Sequence, residues 1–205
     1  MYVARMSTTA TPSRPPNPAR RAKAIDRPGE YRDRLLIAGK ELFVDQGLAA
    51  VSVEELLDKA GVSRATFYGL FANKLDLAAA ILMPVFVDGI EALDRLTGLP
   101  PRSAAAGLID VYLMLWQDHE RAVLLTSSLD GAFPASIRAR HDEFVARLLE
   151  VLRVIHSGGL LRNKSVDLTC EILARTGIPL LRVYAARHDM AELYRESMLG
   201  LLIKP

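Results

Sequence analysis

Three consecutive residues near the first third of the chain have side chains suited to contact with a nucleic acid. They are Arg64, Ala65 and Thr66, and they directly follow Ser63. An arginine can pair with guanine through two hydrogen bonds or hold a phosphate, and a threonine offers a hydroxyl group and a methyl group. Alanine is small enough to let a helix lie close to the bases. The group indicates contact with DNA, provided that one helix presents all three side chains outward.

The residues around this group predict two short helices joined by a tight turn. Ser52 and Glu55 have the spacing of a capping box, which starts a helix. Gly61 stands where that helix would end in the left-handed conformation. Ser63 can then cap a second helix that begins at Arg64. We expect a helix-turn-helix, whose second helix places its N-terminal residues at the base edges in the major groove.

The order of residues over positions 31–80 resembles the DNA-binding domain of the tetracycline-repressor (TetR) family. The resemblance is carried by Arg32, Leu35, Leu36, Ala38, Leu42, Phe43 and Gly47, then Ser52-Val53, Ala60 to Ser63, Thr66 to Tyr68, and Phe71 to Lys74. Two positions depart from the family pattern. Leu70 stands where a polar ring is usual, and Gly69 stands where a larger residue is common.

This resemblance implies an all-α fold with two domains. A three-helix helix-turn-helix domain would cover residues 30–80, and a helical ligand-binding and dimerisation domain would cover residues 81–205. It also implies that Tyr68 and Lys74 contact phosphates. The expected DNA-binding residues are Ser52, Ser63, Arg64, Ala65, Thr66, Tyr68, Gly69 and Lys74. For the two serines, helix capping alone is an equal alternative.

Residues 1–29 have a composition typical of a disordered tail. They contain six basic residues and one acidic residue, and almost no large apolar side chains. Residues 30–80 are different, because six basic residues there face eight acidic ones. The tail would therefore supply long-range attraction to DNA that the helix-turn-helix lacks, since basic contacts with phosphate dominate affinity. A solvated extension without a role is the alternative.

Further along the chain, the apolar periodicity predicts helices and no strands. We expect helices near residues 31–46, 75–96, 103–116, 118–129, 134–155, 165–187 and 189–202. Pro84 should kink or restart the fourth helix, and Pro179 should bend the penultimate one.

The family resemblance places an effector pocket among the middle helices and a homodimer interface on the last two. Candidate pocket residues are Phe86, Tyr112, Trp116 and Phe133, for which core packing is the alternative. Candidate interface residues are Leu168, Ile172, Leu180, Leu181, Val183, Leu193, Met198 and Leu201.

Several other functions have no support in the sequence. It has no glycine-rich phosphate loop, no Gly-x-Ser-x-Gly and no His-Glu-x-x-His, so we expect neither an enzyme nor a cofactor. Cys170 is the one cysteine and the four histidines are scattered, so we expect no metal site. We expect a cytoplasmic protein without a membrane segment.

Together these features predict a ligand-responsive transcription regulator. It would bind a pseudo-palindromic operator as a homodimer and act as a repressor that a small, apolar effector releases. The alternative is a helical binding or scaffold protein whose helix-turn-helix is vestigial.

Overall fold

The structure is a computed structural model that describes residues 28–129 and 133–204. Within these ranges it contains eight α-helices and no strand, apart from an isolated antiparallel bridge between Leu161 and Ile203. The predicted all-α class is confirmed. The helices are α1 (Pro28–Gln46), α2 (Val53–Ala60), α3 (Arg64–Leu70), α4 (Lys74–Asp94), α5 (Pro101–Ser128), α6 (Ala135–Ser157), α7 (Val166–Tyr184) and α8 (Met190–Leu202).

The first helix begins earlier than the sequence predicted. α1 starts at Pro28, and proline is well suited to a first helical position because its missing N–H would have no partner there. Pro28 and Gly29 therefore belong to α1 and not to the predicted tail. The rest of that tail, residues 1–27, lies outside the described residues. At the other end, Gly47 follows α1 with a φ of 87°, a conformation that glycine adopts at little cost.

Helices α1 to α4 share a core of fully buried apolar side chains. Leu35, Phe43, Leu56, Phe67 and Leu77 come from all four helices and are inaccessible to solvent. α1 and α4 approach closely at Gly39, where an added Cβ atom would lie 2.9 Å from Cδ1 of Ile81. The helix-turn-helix, α2 and α3, therefore packs against α1 and α4 through this shared core.

α4 connects this N-terminal unit to the rest of the molecule. It continues through Pro84 as one helix, so the predicted restart does not occur. It packs against α5 and α6, and α1 also packs against α5. The predicted domain boundary at residue 80 falls inside α4, and the division into two domains remains a prediction.

α5 joins two predicted helices into one, with a break between them. The sequence placed the break before Asp118, and the structure places it at His119, whose φ of −138° and ψ of 30° are not helical. α6, α7 and α8 follow, and α7 packs against both α6 and α8. α7 continues through Pro179. Asp130 and Gly131, residue types that favour a loop, lie outside the described residues.

Within residues 28–129 and 133–204, no single helix is long and apolar enough to cross a membrane. Only α3 and α4 taken together, bent by 53°, reach that length and composition.

Candidate nucleic-acid interface and ligand cavity

The start of α2 has the capping geometry that the sequence predicted. The Ser52 hydroxyl accepts the Glu55 N–H at 3.2 Å and donates to Oε2 of Glu55 at 2.7 Å. The Ser52 N–H donates to the same carboxylate oxygen at 2.8 Å. Gly61 ends the helix with a φ of 62°, as expected. These hydrogen bonds occupy the Ser52 side chain with capping.

α3 presents one face to the core and one face to solvent. Phe67 is fully buried, whereas Arg64, Ala65, Tyr68 and Gly69 are exposed. These four positions are one helical turn apart in two pairs, so they form one outward face. Around Gly69 no atom lies within 4 Å of the place where a Cβ atom would stand, which leaves that end of the face open. We call these four residues the outward face of α3.

Tyr68 lies on this face, and its ring packs against the ring of Phe67. Its side chain is 49% exposed, and its ring packs edge-on against Phe67 with the ring centres 5.2 Å apart. Ser63 and Thr66 lie at the N-terminal edge of the face. The Ser63 hydroxyl accepts the Thr66 N–H at 3.1 Å, and the two hydroxyl groups hydrogen-bond at 2.8 Å. Both hydroxyl groups are therefore engaged in capping α3.

Arg64 has an acidic partner within its own domain. Its guanidinium forms an ion pair and a hydrogen bond with the carboxylate of Glu54 on α2. A backbone hydrogen bond at Glu54 and the nearby Arg64 together hold the pKa of that carboxyl below its ordinary value. The Arg64 side chain is nevertheless 60% exposed. A phosphate or guanine that approached α3 would therefore compete with one exposed carboxylate for this guanidinium.

Lys74 is directed towards the protein. Its ammonium donates to the carbonyl oxygens of Val51 at 2.7 Å and of Ala49 at 2.9 Å, and it is half-buried. These carbonyls belong to the loop between α1 and α2. Lys74 therefore ties the first residue of α4 to the residues just before the Ser52 cap. An ammonium has three N–H donors, so one donor is left for a phosphate.

An arginine that the sequence analysis did not select supports the turn of the helix-turn-helix. Nη2 of Arg34, on α1, donates to the Gly61 carbonyl at 3.0 Å. A Cβ atom at Gly61 would lie 2.4 Å from that nitrogen, so the contact needs a glycine there. The local sequence does not predict this hydrogen bond, because the two residues are 27 positions apart.

A cavity of about 730 Å³ lies between α4, α5, α6 and α7. A smaller recess of about 70 Å³ adjoins it, and Phe86, Tyr112 and Phe144 line both. Pockets that hold small molecules commonly measure about 300–1,000 Å³ and are mainly apolar. The larger space is therefore of a size that one drug-sized molecule would fill.

The candidate pocket residues divide into two groups. Phe86, Tyr112 and Phe133 line the larger cavity. Trp116 is buried and lines neither space, so the structure places it in the core. The sequence analysis did not select ten further residues that line the cavity: Thr126, His141, Phe144, Val145, Leu148, Cys170, Ala174, Arg175, Ile178 and Pro179.

The polar groups of the cavity are few. Tyr112 is only 8% exposed, and its side chain lines the cavity. Burial, and to a lesser extent the nearby Cys170, raise the pKa of Tyr112 well above its ordinary value. The hydroxyl therefore keeps its proton and can donate it to an acceptor oxygen. Burial also raises the pKa of the Cys170 thiol, which remains neutral.

Because His141 precedes two acidic residues, the sequence favours a surface position for it, but the structure places it in the wall of the cavity. Its ring lies 4.3 Å from that of Phe133, centre to centre, and meets the edge of Phe86 at 5.8 Å. Among the described residues, no cluster of three or more side chains could hold a metal ion.

Two polar contacts join α5 to the N-terminal helices beside its break. Nε2 of His119 lies 2.6 Å from Oδ2 of Asp88 on α4. Two residues later, Nη1 of Arg121 lies 3.6 Å from Oδ1 of Asp45 at the end of α1. Thr126, one turn beyond Arg121, lines the cavity. The same segment of α5 thus contacts the cavity, α4 and α1.

Comparison with known proteins identifies the helix-turn-helix. Residues 35–81 match the family model described as bacterial regulatory proteins, tetR family. The chain is 44% identical over 69 residues to the HTH-type transcriptional activator FasR of Mycolicibacterium smegmatis. That match covers 34% of this chain and 31% of FasR, so it spans less than a third of that relative.

A weaker likeness extends over most of the chain. The HTH-type transcriptional regulator TcmR of Streptomyces glaucescens is 28% identical over 183 residues, which cover 88% of this chain and 74% of TcmR. The solved structure of the ketosteroid transcriptional regulator KstR2 of Mycobacterium tuberculosis aligns with a TM-score of 0.69 at 20% identity, over 85% of this chain and 95% of that chain. This structural likeness shows a common fold.

All three of these proteins are named as transcription regulators and not as enzymes. The family match coincides with the capped α2, the turn at Gly61 and α3. The described helices that follow also share the fold of a solved regulator. Residues 35–81 therefore match the tetR family of bacterial regulatory proteins, and the described chain shares its fold with solved structures of tetR-family regulators.

Proposed function

We propose that the protein is a ligand-responsive transcription regulator that binds a pseudo-palindromic operator as a homodimer. One observation carries this proposal: the outward face of α3 is open to solvent while Phe67 on its other side is buried. Arg64 and Ala65 at the start of that face would meet base edges, and the Tyr68 hydroxyl would meet a phosphate. Ser52, Ser63, Thr66, Gly69 and Lys74 complete the proposed DNA-binding residues.

The contacts of these residues support different roles for them in DNA binding. Arg64 has an exposed ion-pair partner that a DNA group can replace, and Tyr68 is 49% exposed. Ser52, Ser63 and Thr66 already cap helices, and Lys74 already holds two carbonyls. We therefore assign base reading to Arg64, phosphate contact to Tyr68, and mainly support to the other four.

Exposed apolar side chains on α7 and α8 support the proposed dimer. Leu168, Val183 and Leu201 are exposed, with Val183 at 70%. Leu181 and Met198, which the sequence analysis placed in the same interface, are fully buried within the chain and cannot contribute. A two-fold axis beside α7 and α8 would bury the exposed residues against their copies.

Ligand control would act through α4 and α5. Phe86 of α4 and Thr126 of α5 line the cavity, while Lys74 at the start of α4 holds the α1–α2 loop. The twelve residues from Lys74 to Phe86 correspond to about 18 Å along a helix. A molecule in the cavity that favours another tilt of α4 would move the two α3 helices of a dimer apart. It must bind that second state more tightly, because otherwise it shifts no equilibrium.

We propose repression as the mode of action, with a small, mainly apolar molecule as the releasing signal. Such a regulator acts in the cytoplasm, where the DNA is. The name of FasR describes an activator, so a reporter gene under the control of the bound DNA would establish the sign. Reporter expression that rises when the regulator is deleted is the result we expect.

An electrophoretic mobility shift with DNA from upstream of the protein's own gene tests the proposal. The full chain should form a specific complex that unlabelled random DNA does not displace. Arg64→Ala should weaken this complex more than it weakens non-specific binding, because base contacts carry the specificity. Tyr68→Phe should weaken both by a similar factor, since phosphates are the same in every sequence.

Tyr184→Phe is the matched control for the second variant. The Tyr184 hydroxyl contacts Oγ of Ser197 at 2.9 Å and lies on α7, outside the proposed DNA interface, so a Tyr184→Phe protein that sedimentation shows to remain dimeric should bind DNA like the wild type. A wild-type protein that forms no specific complex would instead support a scaffold protein with a vestigial motif. The engagement of Arg64 and Lys74 with their own domain is the observation in favour of that alternative.

A further inference from the structure

The cavity between α4 and α7 has an apolar body. Apolar residues form most of its described wall, among them Phe86, Phe133, Phe144, Leu148 and Ile178. The rings of Phe133 and Phe144 both meet Phe86 edge-on, at 5.5 and 5.9 Å between ring centres. Such a wall favours the apolar part of a ligand through removal of its surface from water.

The described wall of the cavity contains a positively charged side chain and no negatively charged one. Arg175 carries a permanent positive charge, and the His141 imidazole offers a ring N–H. No acidic residue lines the cavity among the described residues. A ligand with a negative group would therefore find a partner on this wall, whereas a ligand with a positive group would find none.

Arg175 lies at the rim and has donors to spare. Its Nη2 donates to Oε1 of Glu171 at 2.7 Å, one turn back on the exposed side of α7. A guanidinium has five N–H donors in a fixed planar arrangement. The pair with Glu171 is largely exposed, so Arg175 can turn to a carboxylate in the cavity at little cost.

The acidic residues near the rim face away from the cavity wall. Glu171 and Asp142 are mostly exposed, and Nδ1 of His141 lies 3.2 Å from Oδ1 of Asp142. These two carboxylates each have a cationic or titratable neighbour that reduces their repulsion of a bound anion. They also give a positively charged ligand a second place to bind outside the cavity, so the experiment includes such a ligand.

We propose that the cavity binds an amphipathic anion, with an apolar body against Phe86, Phe133 and Phe144 and a carboxylate or similar group paired with Arg175. This inference rests on the proposed ligand-responsive function and names the chemical class of the effector. Arg175 acts as the specificity-determining residue, because the apolar wall by itself does not distinguish an acid from an alcohol of the same length.

Displacement of the anionic fluorophore 1-anilinonaphthalene-8-sulfonate from the full chain tests the proposal. The competitors are decanoate, decanol and decylamine, which share one apolar chain and differ in the charge of the head group. We expect the fluorophore to bind, and decanoate to displace it at about one fifth of the concentration of the other two, the upper end expected for an ion pair with a largely exposed guanidinium. Absence of fluorophore binding, or equal potency of the three competitors, would overturn the proposal.

Substitution at Arg175 assigns the preference to this residue. In Arg175→Ala, and in Arg175→Gln as a second variant, the advantage of decanoate over decanol should fall to within about twofold. Comparison of competitors within each variant removes any effect on the fluorophore itself. Arg182→Ala is the control, because Arg182 is exposed on the same helix but does not line the cavity. A preference that survives in both Arg175 variants would contradict the assignment.

A mobility shift on the same preparations separates this inference from the proposed function. If decanoate is preferred and no DNA complex forms, the regulatory function fails and the ligand class stands. If the DNA complex forms and decanoate is not preferred, the ligand class fails and the regulatory function stands.

Discussion

The arginine at the start of α3 shows how one residue can be available to DNA and yet have a partner in its absence. Arg64 pairs with Glu54, and both side chains are more than half exposed. An exposed pair of this kind adds little stability, so DNA can replace it easily. Glu54 also places a negative charge beside the surface that approaches phosphates. We infer that Glu54 lowers the affinity of α3 for all DNA sequences.

Glu54→Gln should therefore strengthen DNA binding. We expect roughly a twofold to fivefold gain in affinity at moderate salt, since Arg64 is freed and a repulsive charge is removed. Fluorescence anisotropy of a labelled duplex measures this directly. Glu192→Gln, an exposed acid on α8, is the control and should leave the affinity unchanged. Weaker binding in Glu54→Gln would mean that Glu54 orients Arg64 for the DNA.

The residue scale also shows what a sequence can establish about a single side chain. Ser52, Ser63 and Gly61 each cap a helix through hydrogen bonds to residues within one helical turn. Because these contacts are local, the sequence predicted all three caps. The partners of Arg64 and Lys74 are 10 and 23–25 residues away. Such contacts depend on how helices pack. The sequence analysis therefore expected Lys74 to contact a phosphate and did not predict its hydrogen bonds to two carbonyl groups.

At the scale of elements, Lys74 joins the start of α4 to the loop before α2. Lys74→Ala removes both hydrogen bonds and should lower the free energy of unfolding by about 1–2 kcal/mol. DNA affinity should fall as well, because the loop that leads into α2 loses its support. Thermal unfolding followed by circular dichroism measures the first effect and anisotropy the second.

Lys59→Ala is the control for Lys74→Ala. Lys59 pairs with Glu41 at 2.7 Å on an exposed surface, so its loss should change stability little. An equal loss of stability in the two variants would contradict the role assigned to Lys74.

The break in α5 is a second link between elements. His119 contacts Asp88 of α4 at the one residue of α5 that is not helical. If this contact holds the break, Asp88→Ala should speed hydrogen exchange of the amides near residues 119–123 by about tenfold, equivalent to one lost hydrogen bond. Glu91→Ala, one turn along α4, is the control. Unchanged exchange in Asp88→Ala would show that backbone packing alone sets the break.

Apolar periodicity predicted the helices well and their faces less well. The six helices predicted after the motif correspond to α4 to α8, with two of them joined in α5, because Leu and Ile repeat at helical spacing. Leu77, Ile81, Val85 and Leu93 of α4 are all buried. Tyr112 and Trp116 share a face by spacing, yet only Tyr112 lines the cavity. Periodicity identifies the buried face of a helix, but whether a neighbour or a void covers each residue depends on packing.

The cavity shows the same limit more clearly. His141 is followed by two acidic residues, which indicated an exposed position, and nothing in the sequence distinguishes Arg175 as a cavity residue. Both line the cavity because α6 and α7 each form part of the wall that they share with Phe86 of α4. The apolar pattern of a sequence predicts which residues are buried, but it does not predict where the packed side chains leave a cavity.

At the scale of the whole molecule, the proposed dimer sets the spacing of the two α3 helices. Val183→Glu should disrupt it, because two-fold symmetry would bury two like charges in one interface. We expect a dimer dissociation constant at least about tenfold higher and a matching loss of affinity for a palindromic duplex. Sedimentation equilibrium measures the first quantity.

Val87→Glu is the control for Val183→Glu. Val87 is also exposed, but it lies on α4, outside the proposed interface. A wild-type monomer, or a Val183→Glu protein that stays dimeric, would contradict the use of α7 and α8 for dimerisation.

The central claim is that two outward α3 faces bind one duplex, and hydroxyl-radical footprinting tests it most directly. The full chain on DNA from upstream of its own gene should protect two patches, about one helical turn or a multiple of it apart and related by a dyad. Arg64→Ala should remove both patches, and Arg175→Ala should keep them. Uniform protection, or a single patch without a dyad partner, would contradict the account.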